Sequence, residues 1–185
     1  MPGHPLILKP IGIAVAALIT LASVQAQPGL KSGPASGTPG QGPRDLINKQ
    51  VTARIVRIID GDTVDAVIPP SRRVRVRFHG ADAPERDEDF YQQALVFTRV
   101  FMFSRDVTIA GKDVDPYNRL VARIVVDGKD ASESLIAAGL GCTFHRYLSD
   151  PVLDAALTRA RSAHLGFWAN GARLPRCVTR ESRRK

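Results

Sequence analysis

Apolar and polar residues alternate along three successive stretches near the middle of the chain. Val51–Asp60 is rich in β-forming residues, and after a tight Asp60-Gly61 turn the run resumes over Thr63–Ile68. Pro69-Pro70-Ser71 interrupts the chain before a third strand, Arg73–His79. With side chains alternating across a strand, Val74, Val76 and Phe78 face a core while Arg73, Arg75, Arg77 and His79 face the other way. The period then changes. Over Asp87–Phe103, Phe90, Ala94, Phe97 and Phe101 recur at helical spacing and predict an amphipathic helix. Val107–Ala110 and Leu120–Val126 read as two further short strands, the second ending in the turn pair Asp127-Gly128. Asp130 with Glu133 resembles a capping pair for a second helix, which Gly139 closes. Asp150-Pro151 opens a third helix with Val152, Ala156 and Ala160 on one side. Five short strands and three helices fit an α+β domain on a partly open five-stranded barrel of the OB type, one of several α+β arrangements this pattern permits.

Both ends of the chain fall outside that pattern. Lys9 is the only charge among the first 26 residues with His4 neutral, the apolar run Ile11–Ala22 follows, and Val24-Gln25-Ala26 offers small residues for cleavage. Residues 1–26 therefore read as a signal peptide, which places the mature protein in the periplasm or outside the cell. An uncleaved segment serving as a membrane anchor is the alternative. Gln27–Arg44 is crowded with Gly, Pro and Ser, so 27–45 is expected to be a flexible linker. The folded domain is expected over 46–178, followed by a basic tail at 179–185. Cys142 and Cys177 are the two cysteines; in an exported chain they suit a disulfide tying the tail to the domain, against the alternative of two free thiols.

Charge narrows the partners. The 185-residue chain has a formal net charge of +8, which favours anionic partners such as nucleic acid or a phospholipid surface. No Cys/His spacing suits a zinc site, and His79 and His145 are too isolated to ligate one. An EF-hand reading of the segment opening at Asp60 also fails, because Asp65 stands where that loop needs Gly and Ser71 where it needs Glu. Nothing marks an oligomer interface, so a monomer is expected.

Candidate chemistry lies at the strand ends. Asp60-Gly61-Asp62 makes an ordinary hairpin turn, although Asp62 and Asp65 are more carboxylates than a turn requires. Asp82 and Glu85 end the arginine-rich strand, and Arg119 opens the strand after the turn Pro116-Tyr117-Asn118. Asp62, Asp82 and a backbone carbonyl can together hold a hard divalent cation. An arginine beside it can clamp a phosphate bidentately, and Glu85 can orient or deprotonate water. A metal, two guanidiniums and a free carboxylate suit phosphodiester cleavage. The plainer reading makes Asp82 and Glu85 solvated loop acids and Arg73 and Arg75 part of a solvated face.

IDGDT at 59–63, Arg77 followed by DAPE at 82–85, and DPYNRL at 115–120 resemble the staphylococcal nuclease (thermonuclease) family in order and spacing. DGKDASESLIAAGLG (127–141) and HLGFW (164–168) look like that family's second helix and closing segment, so the resemblance spans about 50–170. It implies an OB barrel with three helices and Ca2+-dependent hydrolysis of DNA and RNA. It further implies calcium carboxylates at Asp62 and Asp82, a main-chain oxygen at Ala83, a catalytic Glu85, phosphate-binding Arg77 and Arg119, and a phosphate-contacting Tyr117. Pro116 departs from the family's usual lysine. His145 stands at the base-stacking tyrosine position with Tyr147 two residues on, and the loop after Glu85 is acidic and compact. Arg75 is expected to serve the nucleic-acid backbone further along. The alternative to a nuclease is a non-catalytic OB module that binds nucleic acid or another polyanion by charge.

Overall fold

The alternating runs over 50–78 become an antiparallel meander in the structure, a computed structural model that describes residues 42–144 and 150–182, with side chains to 179. The expected signal peptide, most of the linker, His145, Tyr147 and the last tail residues lie outside the described residues. After a 3-10 turn at Pro43–Leu46 come β1 (Gln50–Ile58), β2 (Thr63–Ile68), β3 (Arg72–Phe78) and the short β4 (Ala81–Asp82). Helix α1 (Tyr91–Met102) leads to β5 (Asp106–Val114), β6 (Leu120–Val126) and β7 (Lys129–Asp130). Then follow α2 (Ala131–Ala137), β8 (Cys142–Thr143), α3 (Pro151–Ser162), a 3-10 turn at Gly166–Trp168 and α4 (Arg176–Ser182).

The strand order β3-β2-β1-β5-β6-β7 is closed by a parallel pairing of β3 with β6, so five strands form an OB-type barrel. Apolar partners fill it because only one face of each strand is buried. Ile55, Val64, Ala66, Val76, Ile109, Leu120, Ala122 and Ile124 point inward, while α1 and α2 add Ala94, Met102, Leu135 and Ile136. Each such Ile or Leu removed from water contributes about 1.5–3 kcal/mol. Asp127 and Gly128 both take positive φ, as their hairpin turn requires.

Several elements differ from the expectation. Helix α1 begins at Tyr91, because Phe90 adopts a left-handed φ of 67° and residues 85–90 are held as a turn by the Glu88 carboxylate, which accepts from the Glu85 N–H. The buried stripe is therefore Tyr91, Ala94, Thr98 and Met102, with Phe97 and Phe101 only partly covered. On α3 the expected Ala156 and Ala160 are buried together with Leu153 and Leu157, while Val152 is exposed. Strand β5 runs on to Val114 through a bulge at Lys112. Gly111 allows this, since a Cβ there would lie 2.2 Å from the Leu46 carbonyl oxygen. A fourth helix, α4, follows Pro175 and is joined to β8 by a Cys142–Cys177 disulfide.

Candidate active site at the barrel mouth

A cleft of about 900 Å3 opens where the β1–β2 turn, the β3–β4 segment and the β5–β6 turn meet. Its lining includes Asp60, Asp62, Arg77, Asp82, Glu85 and Arg119. Residues separated by up to 59 positions thus share one rim because the parallel seam sets Arg77 opposite Val121, two residues past Arg119. On the far wall Tyr117 is 81% exposed at the tip of its turn.

The β1–β2 turn is clamped rather than free. The Thr98 hydroxyl of α1 donates to the Gly61 carbonyl at 2.6 Å. A Cβ on Gly61 would lie 2.7 Å from the Ala83 Cβ and 2.8 Å from the Ala94 Cβ, so only glycine lets the turn approach this closely. Asp62 is buried as a result; its Oδ2 accepts from the Ala83 N–H at 2.6 Å and its Oδ1 from the Thr63 hydroxyl at 3.0 Å.

Arg77 sits between the acids. Its Nη1 lies 2.6 Å from Asp62 Oδ2 and its Nη2 donates to Asp82 Oδ1 at 2.8 Å. The contact to Asp62 is an ion pair without hydrogen-bond alignment, which leaves Nη1 buried with no acceptor in line. Although Arg77 faces away from the core, its side chain is only 14% exposed, because the acids on both flanks fold over it. Burial opposes its charge, but the carboxylates of Asp62, Asp82, Asp60 and Glu85 outweigh that and raise its pKa. Asp60, by contrast, is pushed up to about 7, first by burial and then by the adjacent Asp62 carboxylate, against the pull of Arg77.

Arg119 is held differently. Its Nε donates to Asp115 Oδ2 at 2.6 Å, and Asp115 Oδ1 accepts the backbone N–H groups of Tyr117 and Arg119, each at 2.9 Å. Burial works against ionisation of Asp115, yet the Arg119 N–H and guanidinium more than compensate and hold its carboxyl below the usual range. Arg119 also stacks over the Tyr117 ring, 5.4 Å from its centroid. Glu85 is exposed beside this array.

The donor set has the chemistry of a hard-cation site: carboxylate oxygens of Asp62 and Asp82 lie to either side of the Ala83 backbone in one cleft. Among the described residues no three acidic, imidazole or thiol side chains gather into a ready cage. A cation held by two carboxylates and a carbonyl would keep several waters.

The structure therefore brings Asp62, Asp82, Ala83, Glu85, Arg77, Arg119 and Tyr117 to one cleft. Arg75 is elsewhere, on the outer face of β3, where Nε and Nη2 grip both oxygens of Asp65 at 2.8 and 3.3 Å. That pairing explains the second aspartate of the β1–β2 turn region. Sequence reasoning missed Asp60 as more than a turn former, and Asp115 as the brace of Arg119. The signal for Asp115 was present: Asp opening a Pro-Tyr-Asn turn is the residue whose side chain caps its own backbone.

An OB barrel with acids and arginines meeting at its mouth defines the class of domain. Matching over residues 75–170, the chain belongs to the family described as staphylococcal nuclease homologue. It is 28% identical over 131 residues to an uncharacterized endonuclease of Escherichia coli, an alignment covering 70% of this chain and 85% of the relative. It is also 27% identical to an uncharacterized endonuclease of Haemophilus influenzae, covering 64% and 67% respectively. Identity reaches 30% to Protein ParB of Escherichia coli, with 65% of this chain and 74% of that protein covered.

Proposed function

We propose that this protein is an exported, monomeric, Ca2+-dependent nuclease that hydrolyses phosphodiester bonds of DNA and RNA with little regard for the sugar. The observation that carries this reading is Arg77. A buried guanidinium whose Nη1 lacks an aligned acceptor, lining one cleft with Arg119 and an exposed Glu85, suits a phosphate oxygen as the missing partner. The family and the endonuclease names of its relatives support the same conclusion.

Asp62, Asp82 and the Ala83 carbonyl would hold the calcium ion, which when bound supplies positive charge beside the scissile phosphate. Glu85 takes a proton from the attacking water as its oxygen bonds to phosphorus. One ester P–O bond breaks, and the departing oxygen is protonated from solvent. Arg77 and Arg119 hold the non-bridging oxygens as charge grows on them; Asp115 keeps the Arg119 fork aimed. Tyr117, exposed at the rim, contacts the substrate strand, with His145 and Tyr147 taking the bases by stacking.

The test is cleavage of linear and circular DNA, and of RNA, by purified protein with Ca2+, with and without a chelator. Cutting of the circular substrate that the chelator stops is expected. Salt-sensitive binding with no cutting under any metal would overturn the proposal in favour of a binding module.

A further inference from the structure

Because paired residues on neighbouring strands point to the same side, the register of β1, β2 and β3 defines a single outer face opposite the core. Its rows run Thr63 beside Arg77, then Arg57–Asp65–Arg75, then Arg54–Val67–Arg73. The inward rows contain Ile55, Val64, Ala66, Val74 and Val76, all buried, so the outer rows cannot turn over without exposing the core.

The acids on this face are already committed. Asp65 is 4% exposed beneath the fork of Arg75, and Arg54 is tied to Asp106 and to the Ser104 carbonyl. Arg57 and Arg73 are exposed and make no ion pair among the described residues. Arg57 and Arg73 therefore leave two exposed guanidiniums on this sheet face with no ion-pair partner among the described residues, open to an arriving anion. Asp65 orients Arg75 through Nε and Nη2 rather than hiding it, since that side chain stays 47% exposed.

The face is also continuous with the cleft. Arg77 ends the same side of β3 that carries Arg75 and Arg73, and the charge of Asp60 in the cleft is felt by both Arg75 and Arg77. Steps of two residues along a strand are about 6.6 Å, a spacing suited to successive phosphates of an extended single strand.

We propose that the outer face of β1–β3 is a second binding region, in which Arg75, Arg73 and Arg57 track the substrate's phosphate backbone beyond the phosphate held by Arg77. This rests on the nuclease reading of the cleft, and it names the substrate form: single strands long enough to run from the cleft onto the sheet. A phospholipid surface, the other anion a basic face can meet, is disfavoured because no apolar side chain projects from these rows except the half-buried Val67.

The test is the R57Q/R73Q double variant of the full chain, with binding read by fluorescence anisotropy in chelator so that no cutting intervenes. The probes are a labelled long oligothymidylate, a labelled thymidine dinucleotide, and phosphatidylglycerol vesicles. With about 0.7 of salt slope per single-strand phosphate contact, the slope of log affinity against log salt should fall by roughly 1.4 for the long strand. The dinucleotide, too short to leave the cleft, should keep its slope. An unchanged long-strand slope overturns the proposal, as does a loss confined to the vesicles, which would assign the face to a membrane. Cleavage by the unsubstituted chain is scored separately. If it cuts while the slope stays fixed, the track fails alone; if the slope falls but nothing cuts, the nuclease reading fails alone.

Discussion

Arg77 and Glu85 differ in what their removal would cost. Glu85 is exposed and its side chain bears no structural contact among those described, so Glu85→Gln should fold normally yet cut roughly 10²–10⁴-fold more slowly. Unchanged turnover in a folded variant would remove Glu85 from the chemistry. Arg77 is a neutralising charge as well as the proposed phosphate ligand. Arg77→Ala leaves Asp62 and Asp82 facing one another and should cost roughly 3 kcal/mol in chelator, measured by urea denaturation. Arg77→Lys should recover much of that stability but little activity, because an ammonium cannot make the forked contact. At this scale the sequence was readable where chemistry sits in short motifs: IDGDT, DAPE and DPYNRL carry the cleft acids named here, Tyr117 and Arg119, and Arg77 precedes DAPE at the end of its strand. The Asp65–Arg75 tie was not readable, since cross-strand partners are set by register rather than by neighbours in the chain.

Among the elements, the turn at Gly61 and the helix α4 matter most to the site. Gly61→Ala forces the turn off Ala83 and Ala94 and should cost about 1–3 kcal/mol. Because Asp62 is anchored to the Ala83 N–H, the same variant should require more calcium for half-maximal cleavage. Helix α4 braces the turn that follows Glu85. The backbone N–H and Nε of Arg176 donate to Glu88 Oε1 at 2.6 and 3.1 Å, its Nη2 pairs with Asp87, and Glu88 Oε2 accepts from the Glu85 N–H at 2.8 Å. Arg176→Ala should therefore lower kcat more than it raises KM. Strands were legible because a period of two has one buried face. Asp150-Pro151 marked the start of α3 correctly, whereas α1 was expected from Asp87 and begins at Tyr91; Phe90 and Val152 carry apolar side chains that look like core and are placed otherwise by a positive φ and by helix rotation. Helix α4 has seven residues and no apolar stripe, so nothing local announced it.

For the whole molecule, the disulfide is the main brace of the C-terminal segment, closing a 35-residue separation beside Phe167. Replacing both cysteines by serine frees that loop in the unfolded chain and should cost roughly 3–4 kcal/mol in urea denaturation. The barrel class was within reach of the strand count, but closure was not: a parallel pair between β3 and β6 leaves no mark in either strand. That seam has a kinetic meaning. It joins Val76 to Leu120, a contact far apart along the chain, and such contacts lag behind hairpins and helices during folding. Since the seam is what draws Arg119 alongside Arg77, a partly folded chain would carry most of its secondary structure and no hydrolytic power. In stopped-flow refolding, recovery of cutting should trail the far-ultraviolet signal, and a newly made chain would be harmless to the cell's own nucleic acids until its last strands meet.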